Sequence, residues 1–198
     1  YQDLPYTEEL SLKLGKLKDV LRLKTDLPDG LFHPVTASPK PYYYRQRLDL
    51  TLRRSKGEWK LGYIHPIQHY LMEIDHCPIA REEINAILPG LKAEALAKLP
   101  EGYKNANLVV RTDDTGKIRW GGMGRHSLRM QPEDYFYTVV KGVKIFYSLE
   151  TFFQANLSIL DLVMDKLASL ETWDKNTVFF DLYSGVGLFG LVFAGRVG

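Results

Sequence analysis

Apolar residues recur at helical spacing early in the chain. Leu10, Leu14, Leu17 and Leu21 fall on one face, with Lys13, Lys16, Lys18 and Asp19 facing away. Thr7, Glu8 and Glu9 supply the acidic first turn of such a helix, and Leu27-Pro28-Asp29-Gly30 the turn that follows it. The pattern predicts a helix that packs its leucine stripe against a core. From Tyr42 the period becomes two. Leu48, Leu50 and Leu52 alternate with Arg45, Arg47, Asp49, Thr51 and Arg53, which predicts a strand with one apolar and one mostly basic face. Ser55-Lys56-Gly57-Glu58 then turns the chain into a second strand over residues 59–64. Two further hairpins are expected around Asp113-Asp114-Thr115-Gly116 and Lys141-Gly142. Short helices over residues 82–88 and 91–99 are expected between the hairpins.

The pattern changes near Thr151. Leu157, Leu160, Met164 and Leu167 form a helical stripe, and the apolar run Thr177-Val178-Phe179-Phe180 reads as a buried strand. It leads into Asp181-Leu182-Tyr183-Ser184-Gly185-Val186-Gly187-Leu188-Phe189-Gly190, a glycine-rich turn opening a helix. The expected fold is therefore an α+β antiparallel-sheet domain followed by the start of a parallel, Rossmann-like α/β domain, divided at about residue 150.

Composition narrows the class without choosing a function. The 198 residues are 45% apolar and 25% charged, ordinary for a globular protein with a real core, and the net charge of +2 leaves any basic surface to be local. No apolar stretch is long enough to span a bilayer, so no membrane partner is expected. The single cysteine, Cys77, has no partner for an intrachain disulfide, and a cytoplasmic setting is the default expectation. The chain does not begin with Met and stops soon after the glycine turn, so a piece of something longer is expected. His65, His69, His76 and His126 show no metal-ligand spacing.

The candidate chemistry sits in the glycine turn. Gly185, Gly187 and Gly190 satisfy G-x-G-x-x-G, which lets the backbone approach a nucleotide-like cofactor but also describes a merely structural turn. No Gly-Lys-Ser/Thr follows, which excludes a P-loop. Dinucleotide folds carry an apolar residue four positions before the first glycine, and this chain carries Asp181. A carboxylate there can order the loop or accept hydrogen bonds from a cationic ligand. Asp-x-x-x-Gly-x-Gly after an apolar strand resembles the first motif of class I S-adenosylmethionine-dependent methyltransferases.

Three other segments make the resemblance specific: Ser38-Pro39-Lys40-Pro41-Tyr42-Tyr43-Tyr44-Arg45-Gln46-Arg47, Asp75-His76-Cys77-Pro78-Ile79 and Phe152-Phe153-Gln154-Ala155-Asn156. With residues 181–190, in this order, the chain resembles the RNA uracil-5-methyltransferase family along its length. The opening Tyr1-Gln2-Asp3 looks like the segment just after that family's Cys-Gly-Gly-Cys cluster. The resemblance implies three parts: a leading helix (1–33) that tends to pack on the methyltransferase side, a central α+β RNA-recognition domain (34–150), and an incomplete methyltransferase domain (151–198).

The resemblance also implies roles. Gln154 and Tyr183 match residues that line the S-adenosylmethionine pocket. Asp181, Ser184, Gly185 and Gly187 would form the loop against the donor's amino-acid end. From the pattern alone Gln154 reads equally as a helix-start residue and Tyr183 as a buried aromatic. Ser184 stands where many members have cysteine. Leu188 stands where others have asparagine or threonine and cannot hydrogen-bond a donor. Cys77 matches the fourth ligand of a [4Fe–4S] cluster in the complete protein, whereas by itself it reads as a small apolar side chain. Arg45, Arg47, Arg53 and Tyr44 suit contacts to phosphates and unpaired bases, or else a solvated sheet face.

In the family a cysteine thiolate attacks carbon 6 of uracil, carbon 5 takes the methyl group, and a general base removes the carbon-5 proton. That cysteine and a glutamate base are expected beyond Gly198, so no catalytic residue is assigned here and the fragment is expected to be inactive alone. RNA is the expected partner, ribosomal before transfer RNA, with a monomeric enzyme. Two other readings stay open: a non-catalytic RNA-binding module, and a Rossmann-type enzyme with another substrate.

Overall fold

The computed structural model describes residues 3–123 and 135–197; Tyr1, Gln2, His126 and Gly198 lie outside them. The chain forms two compact units, 1–41 and 42–198. The second unit contains residues from both sides of the expected boundary near 150.

In the first unit, helix α1 (Tyr6–Arg22) is followed by a single 3-10 turn, Asp29–Leu31. Glu9 and Lys13 pair one turn apart at 2.5 Å, Lys18 pairs with Asp29 at 3.3 Å, and Arg22 also pairs with Asp29. The leucine stripe does not meet the expectation of a core helix. No residue of α1 is buried, and Leu17 is half exposed. Helical spacing reports which residues share a face and says nothing of whether a second layer covers it.

The second unit is built on a five-stranded antiparallel sheet. Its strands are β1 (Arg47–Ser55), β2 (Glu58–Ile64), β3 (Leu71–Glu73), β4 (Asn105–Thr112) and β5 (Ile118–Met123), in the order β3-β2-β1-β4-β5. The expected hairpins form. Lys56 and Gly57 both take positive φ (50° and 89°), the left-handed pair that a two-residue hairpin turn requires. Helix α2 (Glu82–Lys98) covers one sheet face, burying Ile84, Leu88, Leu91 and Ala95 against Leu48, Leu50, Leu52, Leu61, Leu108 and Val110. Each large side chain so buried contributes about 1.5–3 kcal/mol. Two short helices were expected here, but α2 runs unbroken through Pro89 and Gly90. Both residues are exposed, and Pro89 removes only the one N–H that would bond the carbonyl four positions before it.

A second core lies on the other side of β4. Hairpin β6 (Phe136–Val140) and β7 (Val143–Tyr147), helix α3 (Leu160–Ala168) and helix α4 (Leu188–Phe193) gather Phe136, Ile145, Tyr147, Phe153, Leu160, Met164, Leu188 and Phe193 around Val109. Tyr147 is stacked between Phe136 and Phe153, with ring centroids 6.0 and 4.5 Å away. The α+β sheet expectation holds. The expected buried strand at 177–180 does not form: these residues have no ladder partner among the described residues. Phe179 packs on Trp173 and Phe193, while Val178 and Phe180 are 71% and 77% exposed. A strand exists only through its neighbours' hydrogen bonds, so an apolar run alone cannot specify one.

Candidate functional site

The glycine turn is folded by its own backbone and by Asp181. The Gly187 N–H donates to the Ser184 carbonyl at 2.8 Å, and Gly187, in the left-handed region (φ 75°), caps α4. One carboxylate oxygen of Asp181 accepts from the Gly190 N–H at 2.8 Å. A Cβ on Gly190 would lie 3.2 Å from that oxygen, which explains the glycine there. Gly185 also takes positive φ (56°), but a Cβ there would meet open space, leaving room for a ligand against the backbone. Tyr183, a non-glycine residue at φ 57°, is fully exposed rather than buried as the pattern allowed. Leu188 is buried in the second core, so its departure from a hydrogen-bonding residue is paid in packing. Ser184 is exposed.

Gln154 sits in a segment tied down by its main chain. Its carbonyl accepts from Gln46 Nε2 at 3.2 Å, while its half-buried side chain makes no hydrogen bond to a described residue. The helix-start role falls to Asn156, whose side chain accepts from the Ser158 N–H at 3.0 Å. Phe153 and Leu188, neighbours of Gln154 and Gly187, belong to the same core cluster, so the two motif segments flank one apolar centre.

The Cys77 loop joins this arrangement through Arg45. The Tyr43 and Arg45 N–H groups donate to the Pro78 and Ile79 carbonyls at 3.1 and 2.8 Å, and Arg45 also bridges to Asn156. Asn85 from α2 holds the loop from below. It accepts from the Cys77 N–H at 2.8 Å and donates to the Cys77 and Ala80 carbonyls at 3.0 and 3.1 Å. Cys77 itself is only 7% exposed and belongs to the sheet core. Burial raises the Tyr63 phenol above the ordinary tyrosine range, with the Cys77 side chain adding to the shift. A [4Fe–4S] cluster needs four thiolates, and this chain has one. Among the described residues no three His, Cys, Asp or Glu side chains gather for a metal. These residues alone therefore do not hold a cluster.

The basic face divides into committed and uncommitted cations. Arg47 donates Nε and Nη2 to the Asp49 carboxylate and Nη1 to the Glu150 and Thr151 carbonyls. Arg45 donates Nε to the Arg47 carbonyl at 2.8 Å. The Arg53 side chain has no hydrogen-bond or ion-pair partner among the described residues, and its ladder partners on the same face are Lys60 and Asn105. Tyr44 is half-buried.

Three residues were not legible in advance: Gln46, Arg111 and Tyr147. All are buried, and the Tyr147 hydroxyl donates to Gln46 Oε1 at 2.8 Å. Burial, with Arg47 close by, pushes the Arg111 guanidinium down to about 10. Its planar group lies 5.1 Å from the Tyr147 ring centroid, and its Nε and Nη2 have no hydrogen-bond partner among the described residues. Only Arg111 carried a signal, as a charge directly after the apolar run Leu108-Val109-Val110; Gln46 lies between Arg45 and Arg47.

No protein-family model matches the chain. It is 24% identical to an uncharacterized RNA methyltransferase of Thermosynechococcus vestitus, over 100% of this chain and 54% of the relative. It is 28% identical to the 23S rRNA (uracil(1939)-C(5))-methyltransferase RlmD of Dichelobacter nodosus, over 91% of this chain and 49% of the relative. Among solved structures it superposes on the Pyrococcus abyssi tRNA (uracil-54, C5)-methyltransferase, which is in complex with S-adenosyl-L-homocysteine. The TM-score is 0.72 at 21% identity, covering 98% of this chain and 54% of that one. The chain spans about half the length of the relatives it matches. The resemblance to the RNA uracil-5-methyltransferases carried by the four motif segments thus extends along the whole chain, which shares the fold of that part of the solved enzyme.

Proposed function

We infer that the whole protein transfers a methyl group from S-adenosylmethionine to carbon 5 of a uridine in RNA. The observation that carries this reading is the meeting of the Phe152–Asn156 and Asp181–Gly190 segments at one core, in a chain whose relatives are RNA methyltransferases. Ribosomal RNA is the preferred substrate because several relatives are named for 23S rRNA. The setting would be cytoplasmic and the enzyme monomeric. No helix among the described residues is long and apolar enough to cross a membrane.

The open space at Gly185 and the left-handed Gly187 fit close approach of the donor's amino-acid end to the backbone. When bound, the donor supplies the methyl group. Asp181, with one carboxylate oxygen ordering α4, would use the other toward the donor, beside Ser184. The unengaged Gln154 amide would orient the donor, and the exposed Tyr183 ring would cover it. The nucleophile and base would come from outside residues 1–198, since the single cysteine, Cys77, is buried in the sheet core. A cluster role for Cys77 would need three further thiolates from outside these residues.

RNA contacts would come from Arg53, with Lys60 and Asn105 on the same face, and from Arg45 and Tyr44. Incubation with RNA and labelled donor tests the proposal. The full-length protein is expected to label RNA, and residues 1–198 alone are not. Labelling by the fragment would overturn the assignment of the catalytic groups elsewhere.

A further inference from the structure

We propose that Arg47 is a positioning residue: its guanidinium fixes the 148–154 segment on the sheet and so sets the place of the Gln154 side chain. The proposal rests on the reading of Gln154 as a donor contact. Arg47 Nη1 donates to the carbonyls of Glu150 and Thr151 at 3.1 and 3.3 Å. Its remaining edge is held by the Asp49 carboxylate, two residues along the same strand face, at 2.6 to 3.1 Å. Arg111, directly opposite Arg47 in the ladder, donates Nη1 to the Ser148 carbonyl. Gln46, preceding Arg47, donates to the Gln154 carbonyl at 3.2 Å and is itself fixed by Tyr147. The carbonyls of Ser148, Glu150, Thr151 and Gln154 therefore each accept from a side chain at one end of the β1–β4 pair.

A connecting segment normally gives such carbonyls to water and moves accordingly. Here guanidinium donors take those of Ser148, Glu150 and Thr151, with bonds about twice as strong as neutral ones, and the Gln46 amide takes that of Gln154. The Ser148 and Thr151 hydroxyls close the same stretch on itself at 2.6 Å. The Arg47 side chain is 16% exposed, too little to offer a guanidinium edge to a phosphate. The sheet that would read RNA thereby also holds the segment that would meet the donor.

The test uses the full-length protein. S-adenosylhomocysteine affinity is measured by calorimetry for the wild type, Arg47→Met, Asp49→Asn and Gln154→Ala, beside RNA affinity over a range of salt. Arg47→Met is expected to weaken S-adenosylhomocysteine about tenfold, roughly the worth of one hydrogen bond to the donor. Asp49→Asn, which loosens Arg47 without removing it, is expected to weaken it less. Both should leave RNA affinity and its salt slope unchanged. Asp49→Asn carries the test if Arg47→Met does not fold. Unchanged donor affinity with weaker RNA binding and a shallower salt slope would overturn the proposal and make Arg47 a phosphate contact. If Gln154→Ala leaves donor affinity intact, the reading of Gln154 fails. If Gln154→Ala weakens it and neither Arg47→Met nor Asp49→Asn does, the positioning role alone fails.

Discussion

The Asp181 carboxylate holds the Gly190 N–H at 2.8 Å, so the residue that opens the glycine turn also fastens its far end. A Cβ on Gly190 would press on that same oxygen. Asp181→Ala is expected to cost about 1–3 kcal/mol of stability by leaving the amide unpaired. Gly190→Ala should cost less in the Asp181→Ala background than in the wild type, because its clash has been removed. Denaturant unfolding of both singles and the double measures this coupling, and simple additivity would contradict the geometry.

Arg53 is the test of the RNA face. Replacing it with Gln is expected to weaken RNA binding in a sequence-independent way and lower the salt slope by about one unit. Filter binding at several salt concentrations reads the effect. An unchanged slope would remove Arg53 from the interface.

Alkaline stability follows from two phenols. Tyr63 and Tyr147 are held, mainly by burial, above the ordinary tyrosine value of about 10. Their folded forms keep protons that the unfolded chain loses, so their contribution is complete below about pH 10 and falls as pH rises further. Arg111 acts oppositely: with its folded value lowered to about 10, stability gained from its neutral form grows above that pH. The Tyr63→Phe/Tyr147→Phe protein should therefore lose less stability between pH 10 and 11 than the wild type. Parallel curves in a pH series of denaturant melts would contradict this.

The Cys77 loop depends on one amide. Asn85→Ala removes three hydrogen bonds to the main chain of Cys77 and Ala80, and is expected to destabilise by about 2–3 kcal/mol. Hydrogen exchange at the Cys77 N–H should quicken. Unchanged protection would show that the loop is held elsewhere.

Local signals were the legible ones. Lys56-Gly57 and Lys141-Gly142 announced their hairpins because turn conformation is set within two residues, and the β1 alternation predicted which face buries Leu48, Leu50 and Leu52. Burial beyond the local pattern was not legible. The α1 stripe reads as core but has no buried member, and residues 177–180 read as a strand but have no ladder partner among the described residues. The fate of Arg47 depends on carbonyls 103 and 104 residues away, which no local spacing encodes. For the same reason the glycine turn could be recognised while Asp181's hold on Gly190 could not be chosen over a ligand contact.

Position-specific release of tritium tests the account most directly. Full-length protein, unlabelled S-adenosylmethionine and ribosomal RNA carrying tritium at carbon 5 of uridine are incubated together, and the RNA nucleosides are then analysed. Tritium released to water in step with formation of 5-methyluridine is the predicted result. Methyl transfer to another base or position, or none while tritium stays on the RNA, would contradict it.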